Sequence, residues 1–344
     1  MSNFNDLKVI WRAPGDCTNL DLTIPRVNAS AIEVLETNLV SAQIANKNLR
    51  AVFDINHTLG IFDHSEFTFY PRVLEELCEL LKVVPVALIS GDQLEVINQK
   101  LIPVLNSFLK TNYSDVARKT IFENLIIYAQ TGIKVLNFCE KGTPKEKSIP
   151  AAELSTSERN FILEQIIPII LYEFCEDPRF KLLPEQFKTP NTTVDNSEES
   201  SPLYTQCSSE ASIELSVFGI HKGKQQQSLK KLLNEHKELR ELRDDIVDRC
   251  SILLENHSVN AQLGGSTTVD FRKFDKAQAV YRYLAGLPEW EGELALIGVG
   301  DSFGPKGNDL AFSMACSFVY DVSENHQNAE NALKVMRLIR KYTK

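Results

Sequence analysis

The sequence has no basic excess: 37 Lys and Arg residues stand against 46 Asp and Glu, a formal net charge of −9. Proteins that hold a nucleic-acid backbone do so largely by neutralising its phosphates, so this balance argues against a general nucleic-acid binder. Phosphorylated small molecules stay open as ligands, because a bound cation reverses the local field. Paired cysteines are missing too. The seven present (Cys17, Cys78, Cys139, Cys175, Cys207, Cys250 and Cys316) are scattered, odd in number and never spaced as CxxC. That suits a reducing compartment better than a disulfide framework or a zinc site. The N-terminal stretch MSNFNDLKVIWRAPGD has no basic start followed by an apolar run, so no secretory leader is read and a cytoplasmic protein is expected. Membrane-length apolar runs are also lacking. The most apolar helical stretch, 161–174, is broken by Glu164 and Pro168 and is too short to span a bilayer. There is no internal repeat and no heptad run.

What is present is an ordinary globular composition, 43% hydrophobic and 24% charged over 344 residues, long enough for two domains or one domain with a large insertion. Four short apolar runs, 49–54, 83–90, 294–301 and 317–321, end at polar residues and are separated by helical stretches such as 71–82, 93–110, 228–257 and 276–285. Continuous apolar strands alternating with helices predict a mainly parallel sheet covered on both faces. The fold class expected is α/β: a three-layer, Rossmann-like core with an inserted α+β cap. Its expected boundaries are an N-terminal extension over 1–48, a core over 49–92 and 264–344, and a cap over 93–263. The cap includes an apparent hairpin at LIIYAQTGIKVLNF and a loop over 189–211 that is rich in Ser, Thr, Asn, Pro and Glu and expected to be mobile. Ligands of parallel sheets sit at the carboxyl ends of the strands, so Asp54, Ser90 and Asp301 are expected to share one crevice.

Two segments carry chemistry. Val52-Phe53-Asp54-Ile55-Asn56-His57-Thr58-Leu59 sets an aspartate at the end of a buried strand, with Thr58 four residues later. Gly300-Asp301-Ser302-Phe303-Gly304-Pro305-Lys306-Gly307-Asn308-Asp309 follows a second buried strand, and acidic groups in a Gly-rich loop suit the hard oxygen coordination of Mg²⁺. Either alone also reads as ordinary helix capping or turn chemistry. Taken in order with Ser90 and Lys276 between them, the set resembles the haloacid dehalogenase superfamily, in which a strand ends in DxDxT, a second in Ser or Thr, a Lys opens a helix, and a strand ends in GD followed by ND. The position of the insertion resembles the class IIB cap branch, which includes phosphomannomutases and sucrose- and trehalose-phosphate phosphatases. GDSFGPKGND, QLGGSTTVDFRKFDK and LIIYAQTGIKV are similar to phosphomannomutase passages. The arginine that follows that family's Ser-Pro-Ile-Gly is absent, since Ser216-Val217-Phe218-Gly219 leads into Ile220, His221 and Lys222.

The resemblance implies a phosphohydrolase for a sugar phosphate or similar phosphorylated small molecule, with Mg²⁺ as cofactor and neither nucleic acid nor membrane as partner. Asp54 would be the nucleophile. Mg²⁺ would be held by Asp54, Asp301, Asp309 and the backbone carbonyl of Asn56. Ser90, Gly91, Lys276 and Asn308 would meet the phosphoryl oxygens, and Asn308 and Asp309 would orient Lys276 or metal-bound water. In the cap, His221, Lys222 and Arg272, with Lys224 and Lys273, are candidates for an anionic substrate, although a solvated charged face is the commoner use of such residues. Asn56 is the main departure: it stands where the family has the aspartate that protonates the leaving group, and an amide carries no such proton. The resemblance therefore leaves a slow phosphatase, a phosphomutase and a non-catalytic binding protein all open.

Overall fold

The computed structural model describes residues 32–45, 47–62, 66–139, 142–149, 153–184, 187, 204–209, 212–219, 224–264, 267–286, 294–303, 307–323 and 327–343. By its internal contacts the chain divides into two compact units.

In chain order the strands are β1 (Asn48–Asp54), β2 (Gly60–Phe62), β3 (Phe67–Phe69), β4 (Val86–Ile89), β5 (Leu125–Ala129), β6 (Lys134–Phe138), β7 (Pro144–Ser148), β8 (Tyr204–Ser209), β9 (Ser212–Ser216), β10 (Asn260–Gly264), β11 (Thr268–Arg272), β12 (Leu294–Gly300) and β13 (Phe318–Asp321). The first unit is built on a seven-stranded sheet ordered β13-β12-β1-β4-β5-β6-β7. Its first five strands are parallel neighbours, and β6 and β7 close one edge antiparallel. Alternation along each strand feeds two separate cores. Ala51, Phe53, Leu88, Ile297 and Val299 enter one. Val52, Ala87, Ile89 and Leu296 enter the other, against Val280 and Phe312. This is the three-layer arrangement that continuous apolar strands require, because neither face of the sheet meets water.

β1 is the strand from which the topology diverges. The chain leaves it toward β4 and β5 on one side and returns to β12 and β13 on the other. Such a divergence opens a crevice at the carboxyl ends of the strands, and Asp54 is the last residue of β1. A two-stranded antiparallel ribbon, β2 with β3, follows directly.

Three boundaries differ from the sequence expectation. Residues 32–44, expected in an N-terminal extension, form the helix Ile32–Ile44 and bury Leu35, Leu39 and Ala42 in the first core. Those positions follow the i, i+4, i+7 spacing of one helix face. The hairpin expected in the cap is β5–β6, and β5 pairs parallel with β4, so residues up to about 150 belong to the core sheet. The expected mobile loop 189–211 contains β8, which pairs with β9; residues 189–203, 210 and 211 of it lie outside the described residues.

The second unit, residues 151–273, is α+β. Its antiparallel sheet runs β10-β11-β9-β8. Helical segments at Thr156–Phe161, Ile162–Ile166 and Ile167–Phe174 form one continuous rod, and the helix Lys237–Leu253 supplies a face of Leu239, Leu242, Ile246 and Cys250. Among the described residues no helix is long and apolar enough to cross a membrane.

Candidate active site

The helix Lys276–Ala285 begins at a capping box. The Asp275 carboxylate accepts from the Ala277 and Gln278 N–H groups at 2.7 and 3.2 Å, and the Gln278 side chain accepts from the Asp275 N–H at 2.8 Å. Its first residue is Lys276, whose side chain is 2% exposed. Two effects oppose a charge there: burial favours the neutral amine, and a cation at a helix N-terminus faces the positive end of the macrodipole. The opposition is met by partners. Lys276 Nζ donates to Asp54 Oδ1 and to Asp309 Oδ1, each at 2.5 Å, and reaches Asn308 Oδ1 at 3.4 Å. Although burial works against the ammonium, the Asp309 and Asp54 carboxylates outweigh it and hold its pKa above the ordinary lysine value.

Asp309, fully buried, is saturated by this chain alone. Oδ1 accepts from Lys276, while Oδ2 accepts from the Asp301 and Ser302 N–H groups at 2.9 and 3.0 Å. The Asp309 N–H returns a bond to Ser302 O at 3.0 Å. These bonds tie the loop after β12 to Lys276. The glycine at the end of β12 makes room for them, because a Cβ on Gly300 would sit 2.4 Å from Asp309 Oδ2.

Asp301 stands beside this pair and accepts from Thr58 Oγ1 at 3.3 Å. One carboxylate oxygen from each of Asp54, Asp301 and Asp309 lies within 4.8 Å of the others. With all three carboxylates ionised against one ammonium, two negative charges would stand uncompensated in a mostly buried cluster. The strain appears in the titration: burial, reinforced by Asp309, pushes Asp301 up to about 7. Burial also raises Asp54 well above the carboxylate range, Lys276 pulling it down and Asp309 and Asp301 pushing it up.

No family model matches the sequence, and no curated protein does. Solved structures do resemble it. The C-terminally truncated IMP-nucleotidase of Plasmodium falciparum superposes with a TM-score of 0.58 at 15% identity, covering 89% of this chain and 75% of that one. The IMP-bound, N-terminally truncated form of the same enzyme gives 0.57 at 16%, covering 89% and 71%. A trehalose-6-phosphate phosphatase from Aspergillus fumigatus gives 0.49 at 12%, covering 92% and 99%. The chain has a haloacid dehalogenase-like fold. At such identities the likeness is one of fold.

Within this haloacid dehalogenase-like core, Ser90 lies one residue past β4, and the register pairs Asp54 with its neighbour Ile89. Its hydroxyl, 1% exposed, donates to Asp92 Oδ2 at 2.5 Å and accepts from the Asp92 N–H at 3.0 Å. Gly91 lies between them. Asp92 was no part of the sequence expectation, and only an Asx-turn pattern after the strand would have pointed to it. The turn Gln130–Gly132 props this loop. Gln130 and Thr131 both take left-handed conformations (φ 51° and 55°), and their N–H groups donate to Asp92 O and Ser90 O at 2.9 and 2.8 Å.

Asn56 follows Asp54 by two residues, and its Oδ1 accepts from the Phe62 N–H at 3.2 Å, fastening the β2–β3 ribbon. An aspartate would make the same bond. Among the cap candidates, His221 and Lys222 lie outside the described residues, and of the Lys224 side chain nothing is described. Arg272 is not an open anion-binding group: it is 7% exposed and paired with Asp270 at 2.5 Å. Lys273 pairs with Glu158 at 2.7 Å.

Proposed function

We propose that the chain is a magnesium-dependent phosphohydrolase that takes phosphate from a phosphorylated small molecule onto Asp54, and that Asn56 makes its turnover slow. The observation that carries this reading is the buried bridge in which Lys276 joins Asp54 and Asp309 at 2.5 Å each, with Asp301 alongside.

The residues fit a divalent cation. Every nearby donor is a hard oxygen, the ligand type Mg²⁺ takes, and the two uncompensated charges match it in number. Asp54, Asp301 and the backbone carbonyl of Asn56 are the groups assigned to hold it. Asp309 adds charge, but its oxygens already serve Lys276 and the 301–302 backbone, so we assign it the positioning of those groups rather than direct coordination. When bound, the ion supplies neutralisation of the attacking carboxylate and the phosphoryl oxygens.

Lys276 fixes Asp54 through Oδ1, and no described residue donates to Oδ2. That oxygen would form the bond to phosphorus as the substrate's P–O bond breaks. The resulting acyl phosphate would then be hydrolysed by water, which restores the carboxylate and releases inorganic phosphate. Lys276, Ser90 and the Gly91 N–H would stabilise charge on the transferred group, a role of positioned dipoles and charges; the Ser90 hydroxyl must first turn from Asp92. Both protonation of the leaving oxygen and activation of water lack a general acid–base group, since Asn56 has no proton to exchange. Loss of such a group costs about 10²–10⁴ in rate.

The specific observation favouring a non-catalytic binding protein is Asn56 itself. Phosphate release from a panel of sugar phosphates and nucleoside monophosphates, IMP among them because of the structural neighbours, separates the readings. Slow release by the native chain, abolished by Asp54→Ala and raised by Asn56→Asp, is expected. Release from neither the native chain nor Asn56→Asp would overturn the enzyme reading and favour binding.

A further inference from the structure

The turn that carries the chain from Asp54 into the β2–β3 ribbon is held by two side chains from outside it, one just past the ribbon and one near the end of the chain. His57 adopts φ 62°, a left-handed conformation that costs a residue with a Cβ and that glycine takes freely. Its N–H donates to Gly60 O at 2.7 Å, and the Leu59 N–H donates to Ile55 O at 2.9 Å. These local bonds shape the turn without fixing the plane of the His57–Thr58 peptide. That is done from outside: the His57 carbonyl accepts from Asn328 Nδ2 at 2.7 Å and from Tyr70 Oη at 3.3 Å. Asn328 opens the C-terminal helix, 271 residues away in sequence, and Tyr70 follows β3. Both lone pairs of one carbonyl are thus occupied by side chains.

We infer that Tyr70 and Asn328 are positioning residues for the metal and phosphate site, clamping the His57 carbonyl so that Asn56 and Thr58 are presented correctly. The inference rests on the magnesium–phosphate reading of that site. A peptide plane is rigid, so fixing the His57 oxygen orients Thr58, whose hydroxyl donates to Asp301. On the other side of His57 lies Asn56, the residue assigned a backbone ligand to the ion. Without the clamp, the left-handed residue would relax toward commoner conformations and carry both neighbours with it. Neither Tyr70 nor Asn328 belongs to a local motif, and only the fold brings them to one oxygen.

Two measurements test this on the full chain. The first is hydrogen exchange of the 55–62 segment without metal, in the native protein, Tyr70→Phe, Asn328→Asp and the double variant. Asn328→Asp keeps the size and the helix start while removing the donor. Exchange is expected to quicken about tenfold or more in the double variant, and unchanged exchange overturns the clamp. The second is Mg²⁺ affinity, read by calorimetry. Outer-shell partners typically contribute about 10–100-fold to metal affinity, so at least a tenfold loss is expected in Asn328→Asp. That loss should shrink when His57→Gly is added, because glycine holds the turn without strain. Faster exchange with unchanged Mg²⁺ affinity would mean a merely structural contact and overturn the positioning role. A native chain that binds no Mg²⁺ would overturn the functional reading instead, leaving the clamp to be decided by exchange.

Discussion

Replacing Asp301 by asparagine should stabilise the metal-free protein, and increasingly so as the pH rises. Asp301 titrates at about 7 in the fold against an ordinary 3.8, because burial and the Asp309 charge disfavour its ionised form. A raised folded pKa means that the native state holds the proton longer than the unfolded chain does. The stability linked to this group is complete below the ordinary value and is lost as pH rises through 7. Each pH unit within that window is worth about 1.4 kcal/mol. Between pH 5 and 7 the native protein should therefore lose about 3 kcal/mol that Asp301→Asn keeps, a ceiling because the side chain retains some water. For a unit of this size, about 2–4 °C per kcal/mol makes the gap in Tm widen by up to about 12 °C. The assay is thermal unfolding of both proteins from pH 5 to 8 with a chelator present. Saturating Mg²⁺ should close the gap at pH 8 by stabilising the native protein alone. A gap that does not change with pH, or a variant less stable at pH 8, would show that the acidic cluster is already compensated within the chain. The case for a cation would then fail.

Lys276→Met removes the ammonium that joins Asp54 to Asp309; stranding buried charge costs about 3–5 kcal/mol, so chemical denaturation should show a large loss that lower pH partly restores. Gly300→Ala would drive a Cβ against the Asp309 carboxylate, and crowding of this kind costs about 1–3 kcal/mol; Mg²⁺ affinity should fall with stability. Leu39→Ala should lower unfolding stability by about 2–5 kcal/mol, although Leu39 lies far before the first motif; a loss under ~0.5 kcal/mol would mean that the helix Ile32–Ile44 is no part of the core.

The strands bearing Asp54 and Asp301 were legible because both faces of β1 and β12 are buried, which writes an uninterrupted apolar run into the sequence. Lys276 and Asp309 were legible only through the ordered resemblance, since nothing local distinguishes a bridging lysine from one that opens a solvated helix. The β5–β6 hairpin is legible as a hairpin but its place beside β4 is not: turn chemistry shows that two strands pair with each other and is silent on which third strand they join. Helix Ile32–Ile44 went unread although Leu35, Leu39 and Ala42 share a face, because an amphipathic stripe carries no address for the surface it covers. The contacts of Tyr70 and Asn328 with His57 left no trace in the sequence at all.

The strand order has a consequence for how the molecule is made. β1 is central, yet its neighbour β12 comes after the whole second unit, so β1 emerges from synthesis long before one of its two edges can be paired. Until the C-terminal segment arrives, the nascent sheet ends in an unpaired apolar strand, the kind of edge that recruits other chains. Closing so long a loop is also slow. The step that shields this edge is the one that brings the Asp301 loop and the Asn328 helix to Asp54, so a chain stalled in synthesis before residue 294 would be sticky and without its acidic cluster at the same time.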